Sequence, residues 1–439
     1  MLLISIGAGA QKKPAPPGSI PVVGILPGLS DSALLDVVQR QTFRYFWDFA
    51  HPVSHMARER SNVTDYGPET IGVGGTGFGV MSVIVATERK WITRDTAARF
   101  LLQLVNFLLK APCYHGAFPH WINGETGKTI PFSRKDDGAD LVETAYLFEG
   151  LLCARQYFDR DNHTERALRD RINWMWNDIE WNWFTQGQEV LYWHWSPNNG
   201  WAMNAPVRGF NECLITYILA ASSPNDRYQI APHVYHRGWA QSDYFRNGKS
   251  FYGFRLPLGF DYGGPLFFSH YSFQGLDPHG LKDQYADYWE QNASHTLINH
   301  AYCVNNPHQF KGYGENCWGL TASDTYYGYD AHSPTNDNGT ISPTAALSAF
   351  PYTPEYSMKA LRHFYYDLGD KIWGEYGFAD AFNESKNWYA TSNLAIDQGP
   401  IITMIENYRS GLLWKLFMSC PEIKNGLKRL NFESPYLNK

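Results

Sequence analysis

The sequence predicts an all-α protein built as a closed (α/α)6 toroid, a barrel of helical hairpins with long aromatic loops and minor β-hairpins. Three observations lead there. Apolar residues recur with a 3.6-residue period in one segment after another, strand-like alternation is brief, as at Ser250 to Leu256, and long Gly-, Pro- and aromatic-rich loops separate the helices. Ser32 is placed to cap a helix carrying Leu34, Leu35, Val38, Phe46 and Phe49. Thr76 to Lys90 reads as a second helix, and Thr93 opens a third through Phe100 to Leu109. Asp140 to Tyr157, Asn162 to Asp178, Arg208 to Ala221, Leu281 to Tyr302, Glu355 to Leu368 and Ile401 to Met418 follow with the same period. No linker divides the run, so residues 19–439 are expected to form a single catalytic domain after a leader and Pro-rich segment at 1–18.

Composition excludes several classes. Charged residues make up 18% of the chain, against about 25% in an average protein, while 44% are hydrophobic and 16% aromatic (16 Trp, 28 Tyr, 26 Phe). A chain this apolar folds around a core. A net charge of −6 gives no general attraction to nucleic acid or to anionic membranes, and no segment approaches 18 consecutive apolar residues, so no membrane span is expected. The six cysteines have no C-x-x-C spacing, which makes zinc binding through them unexpected and favours free thiols. Leu2 to Ala10, ending Ala8-Gly9-Ala10, resembles the tail of a signal peptide, so the protein is expected in the periplasm or otherwise exported. It is expected to act as a monomer.

Two motifs invite cofactor readings and fail on context. Gly72-Val-Gly74-Gly-Thr-Gly77 fits G-x-G-x-x-G, but no hydrophobic strand precedes it, so a tight loop entering a packed helix is the better reading. Asn336-Asp-Asn-Gly339 would place Pro334 and Ala345 at the first and twelfth positions of a calcium loop, which rejects an EF-hand. No metal and no cofactor is expected.

The carboxylates are more informative. Asp136, Asp140 and Glu143 are spaced four and three apart, one stripe on a helix, and the stripe continues into Leu147 and Leu151 rather than into polar residues. Helix N-terminal acids also stabilise the macrodipole, an ordinary explanation for such a cluster. Glu212 heads an otherwise apolar helix, where an acid is costly unless paired or protonated. Asp397 lies between apolar residues at a helix start, where a plain N-cap is the competing explanation. Three segments that each bring a carboxyl to an apolar helix mouth suit acid and base chemistry on an uncharged substrate. Glycoside hydrolysis needs such a pair. The tryptophans between Trp174 and Trp201 could stack on sugar rings or simply pack the core.

Four segments carry a family likeness: Thr76-Gly-Phe-Gly79; Gly264-Pro-Leu-Phe-Phe-Ser-His-Tyr-Ser272; Trp318-Gly-Leu-Thr-Ala-Ser-Asp324; and Tyr376-Gly-Phe-Ala-Asp-Ala-Phe-Asn383 with Ile396-Asp-Gln-Gly-Pro400. Gly339-Thr-Ile-Ser-Pro-Thr-Ala-Ala346 adds to them. With these the chain resembles the bacterial glucoamylase-like domain group that includes glycoside hydrolase family 144, the β-1,2-glucan hydrolases. The resemblance implies an (α/α)6 toroid, inverting hydrolysis of β-1,2-glucan to sophorose or short oligosaccharides, and no metal. It also implies that Asp136, Asp140, Glu143, Glu212 and Asp397 are the essential acids. Glu212 is expected as general acid and Asp397 as base, with Asp140 the competing base. Trp318, Asp324, Tyr327, His332, Trp121 and His270 are expected to line glucose subsites. The alternatives are an exo-acting hydrolase of α-glucan, or a glucan-binding protein without activity; retention of all five acids argues against the latter.

Overall fold

The computed structural model describes residues 19–62 and 66–437; the apolar stretch read as a leader lies outside them. Helices dominate: α1 (Asp31–Trp47), α2 (Val73–Glu88), α3 (Arg94–Leu108), α4 (Leu141–Tyr157), α5 (His163–Asp178), α6 (Leu214–Ala221), α7 (Tyr288–Asn305), α8 (Pro343–Ser348), α9 (Pro354–Arg362), α10 (Gly369–Ile372), α11 (Ala395–Ser410), α12 (Leu412–Ser419) and α13 (Pro421–Arg429). Strands are two to four residues long and pair in small antiparallel sheets, among them Ser250–Phe251 with Phe254–Arg255 at the expected hairpin.

Side-chain pattern sorts the helices into two rings. α2, α4, α6, α8 and α11 are buried on nearly every face, whereas α3, α5 and α9 bury one stripe and wet the other. The inner elements follow one another as α2, α4, α6, the 3-10 turns of Leu266–Phe273, α8 and α11, and α11 packs back on α2 to close the ring. α1, α3, α5, the wide turn Val234–Ala240, α7 and α9 alternate with them on the outside. The result is the expected (α/α)6 toroid. α12 lies on α4, and α13 on α6.

Close approach of α2 and α4 explains the glycines. A Cβ on Gly77 would sit 2.1 Å from the Tyr146 carbonyl oxygen, and one on Gly150 would sit 2.1 Å from that of Gly77. The G-x-G-x-x-G run is therefore a helix-packing surface. Caps fall near the expected residues: Thr93, Asn162 and Asp140 accept hydrogen bonds from the first turns of α3, α5 and α4. Several boundaries differ. α7 starts at Tyr288 rather than Leu281, because Lys282 is spent in bridges to Asp287 and Glu433 and Asp287 caps the helix. Ser30, not Ser32, caps α1; α6 starts only at Leu214, because Arg208–Cys213 is spent in a turn in which Asn211 Oδ1 accepts from the Cys213 N–H; and Gly411, at φ 66°, splits the expected last helix into α11 and α12. All six cysteines are free and all but Cys113 are buried.

Candidate active site

The loops at one mouth of the ring enclose a cavity of about 240 Å3 whose wall includes Glu59, Arg60, His120, Glu143 and Glu212 among the aromatic rings of Tyr66, Trp121, Phe132, Tyr146, Trp193, Phe267, Tyr271 and Tyr329. Trp121 stands edge-on to Phe132, with ring centroids 4.8 Å apart, and 4.9 Å from Tyr66.

Asp140 caps α4: its Oδ1 accepts from the Val142 and Glu143 N–H groups at 3.0 and 2.9 Å, and its Oδ2 pairs with His120 Nδ1 at 2.9 Å. His194 Nδ1 lies 3.3 Å from Asp136 and 3.8 Å from Asp140. Burial opposes ionisation of Asp140, yet His194 and His120 hold its carboxyl below the usual carboxylate range. Burial likewise opposes charge on His120, but Glu143, Asp140 and Glu59 push it up to about 10. This corner is an ion-pair cluster rather than a proton donor. The ligand atoms of His120, Asp136 and Asp140 lie within 4.8 Å of one another, as do those of Cys317, His363 and Glu384 beside the outer helix α9. In the first group the His120 nitrogen that faces the acids is already committed to Asp140 as an ion pair.

Glu143 and Glu212 behave differently. Glu143 Oε2 accepts from the Gly74 N–H at 2.7 Å, at the N-terminus of α2, and a Cβ on Gly74 would sit 2.6 Å from that oxygen, so the glycine admits the carboxyl. Burial and the neighbouring Asp140 charge raise Glu143 to about 7. Glu212 sits in the turn ahead of α6, its carbonyl anchored by the Ser272 hydroxyl. Burial, with the charges of Glu143 and Asp140, raises it to about 7. Glu212 Oε2 is buried with no hydrogen-bond partner among the described residues. A protonated carboxyl on the wall of an aromatic cavity can give a proton to a substrate oxygen.

Asp397, in the first turn of α11, is one layer back: Tyr271, which is on the wall, donates from its hydroxyl to Asp397 Oδ1 at 3.3 Å. Burial, then the charge of Asp380, raises Asp397 well above the usual carboxylate range. Asp324 is also behind the wall, gripped by Arg60 at 3.1 and 3.3 Å and by the Ser392 hydroxyl at 2.5 Å.

Of the expected sugar contacts, Trp121 lines the cavity and Tyr327 stands 70% exposed at the tip of the hairpin formed by Ala322–Thr325 and Gly328–Ala331. Trp318, His270 and His332 are corrected to interior residues. Trp318 is fully buried in the core beside α8, edge-on to His300 at 5.2 Å. His332 is buried against Ser323 at 3.1 Å, and His270 lies parallel to Tyr352; burial lowers both histidines to about 3. None of the three has a face to offer a sugar. The tryptophans between 174 and 201 divide likewise: Trp176 and Trp181 are core, Trp193 lines the cavity, and Trp183 and Trp201 line a separate open cleft of about 620 Å3. Sequence reasoning missed Glu59, Arg60, His120, Tyr271 and Asp380. Tyr271 and Asp380 lie inside quoted family segments, whereas Glu59 and Arg60 read as an ordinary charged loop.

The family model described as "Putative glucoamylase" matches residues 204–421. A curated protein of Parabacteroides distasonis, named exo β-1,2-glucooligosaccharide sophorohydrolase (non-reducing end), is 46% identical over 424 residues, 92% of this chain. The chain spans 58% of that relative's length. An endo-β-1,2-glucanase from Chitinophaga pinensis, solved with sophorotriose and glucose, superimposes with a TM-score of 0.91 at 55% identity, covering 93% of this chain and 100% of its own. A Bacteroides uniformis structure described as a putative glucoamylase gives 0.92 and 63%, covering 94% and 100%. Hormoconis resinae glucoamylase, at 0.54 and 11% over 87% of this chain and 73% of its own, shares the fold alone. Similarity of this degree over the full length of solved relatives means that the chain belongs to the glucoamylase-like family of β-1,2-glucan hydrolases, glycoside hydrolase family 144.

Proposed function

We propose that the protein hydrolyses β-1,2-linked glucose chains with inversion, releasing sophorose or short β-1,2-glucooligosaccharides. The observation that carries this is Glu212: a buried carboxyl raised to about 7, on the wall of an aromatic cavity whose Arg60 cation is already paired with Asp324. The names of the Chitinophaga and Parabacteroides relatives point to the same linkage. Glu212 gives its proton to the leaving oxygen. Water attacks the anomeric carbon from the other face and loses a proton toward Asp397, with the Tyr271 hydroxyl receiving that proton as it passes its own to Asp397 Oδ1. Asp140 is the poorer base, since two N–H groups and His120 occupy its oxygens. Asp136 and Asp140 then fix His120 and His194, and Glu143 faces the sugar beside Glu212.

The protein is read as a monomer, exported on the strength of the apolar stretch at residues 2–10. Incubation with linear β-1,2-glucan, followed by product sizing and by polarimetry of the fresh anomer, is expected to give β-1,2-linked products of inverted configuration. Release of glucose from starch with no attack on β-1,2-glucan would replace this reading with an α-glucan hydrolase.

A further inference from the structure

We propose that Asp380 is a positioning residue for the reaction: it shares a single proton with Asp397, so that the two carboxyls carry one negative charge between them and Asp397 accepts the water's proton only as a member of that pair. This rests on the reading of Asp397 as base.

The network can be followed atom by atom. Arg60 grips both oxygens of Asp324, and the Asp324 N–H donates to Asp380 Oδ2 at 2.7 Å. Tyr271 donates to Asp397 Oδ1 at 3.3 Å. The remaining oxygens, Asp380 Oδ1 and Asp397 Oδ2, are both buried with no N–H or O–H of the described residues directed at them. Yet the two carboxyls are within hydrogen-bonding contact of each other. Two ionised carboxylates cannot hydrogen-bond, because neither brings a donor; with one proton between them both orphan oxygens are satisfied and one like charge is removed. The Arg60 charge favours ionisation of Asp380, but burial and the opposing Asp324 charge outweigh it, and its two terminal nitrogens face Asp324.

Among the described residues, the titratable groups that face the pair are Asp324 and Tyr329 from the 322–331 hairpin, Arg60 from the 58–60 segment, Tyr271 from the inner 3-10 turns and Tyr45 from α1. Asp324 works against a second charge, and Tyr271 and Tyr45 stay neutral hydroxyls because burial raises both. The proton balance then closes. The singly protonated pair takes one proton from water by way of Tyr271, becomes neutral, and releases a proton to solvent before the next turnover.

Asp380→Asn tests this, because the amide oxygen can accept from the Asp324 N–H while its NH2 donates to Asp397, keeping both bonds and leaving Asp397 ionised. The acid limb of kcat/KM on β-1,2-glucan is expected to stay in place in D380N, whose NH2 stands in for the shared proton, and to move at least one unit higher in pH in Asp380→Ala, which leaves ionised Asp397 without that donor, a tenfold change in the protonation equilibrium. In wild-type protein labelled with 13C at Asp Cγ, two Asp resonances are expected to respond together to one proton near pH 7, and that joint response is expected to vanish in Asp397→Asn. An acid limb that stays put in Asp380→Ala, or Asp resonances that titrate with no joint step, overturns the pairing while D397N remains inactive. Near wild-type activity in D397N is the separate outcome that removes Asp397 as base, and the positioning role with it. Should Asp380→Ala fail to fold, the wild-type titration decides alone.

Discussion

At the residue scale, chemistry follows from which carboxyls are paired with cations and which are not. Asp140 has His120 and His194 beside it and is held below the usual carboxylate range; Glu212 has no such partner among the described residues and is raised to about 7. A general acid works only while it holds its proton. Activity that depends on Glu212 is therefore expected to fall as pH rises through about 7, the basic limb of kcat/KM. Glu212→Gln removes the proton and is expected to cost about 10^2 to 10^4 in kcat on β-1,2-glucan. A substrate with an activated aryl leaving group needs less protonation and should regain most of that loss, which distinguishes a missing acid from a distorted site. These acids were legible in the sequence because an ionisable residue inside an apolar helix stands out. Glu59 and Arg60 were not, because Ala57-Arg-Glu-Arg60 looks like any solvated loop until Thr70 and Leu394 pair with its backbone.

At the element scale, the outer helices could be read from their stripes and the inner ones only in part. α11 carries Asp397, Gln398, Asn407 and an internal Pro400 on buried positions, so its polar residues broke the period, and α8 is only six residues long. The fourth inner element, Leu266–Phe273, is made of 3-10 turns and gives no 3.6-residue signal. What fixes such helices to each other is in places polar. Arg89 at the end of α2 binds Glu406 of α11 at 2.8 and 3.0 Å, and the Glu406 side chain is 1% exposed. Arg89→Ala removes the bidentate cation and leaves that carboxylate the neutral donors Ser410 and Gln39, so a loss of up to about 3 kcal/mol is expected in denaturant unfolding, partly recovered in the double variant Arg89→Ala, Glu406→Leu. Glu149 of α4 is the opposite case: it accepts from the Gly275 N–H at 2.7 Å, meets no cation, and burial raises it well above its ordinary value. The folded state keeps this proton while the unfolded chain loses it above about pH 4.3, so the group costs stability as pH rises. Glu149→Gln is expected to match wild type near pH 4 and to exceed it in melting temperature at pH 8.

At the scale of the whole molecule, the question is whether the ring unfolds as one unit. Its buried side chains form two large clusters, one under α2 to α6 with α12 and α13, the other around α7 to α9. Two independent cores would allow two transitions. The helices that join the ends of the ring, however, belong to both: α1 places Phe43 and Phe46 in the first cluster and Leu34 and Val38 in the second, and on α11 the adjacent Ile402 and Ile401 face different clusters. Melting either cluster removes half the burial of α1 and α11, and with α11 goes the turn that carries Asp397. Unfolding is therefore expected in a single cooperative step, with far-UV circular dichroism and tryptophan fluorescence coinciding across the transition. Trp318 reports on the second cluster, and Trp176, Trp181 and Trp239 on the first, so a Trp318→Phe variant that leaves the fluorescence midpoint unchanged agrees with one unit. Separate midpoints, with the Trp318 signal leaving first, would show that α1 and α11 can release one cluster while holding the other.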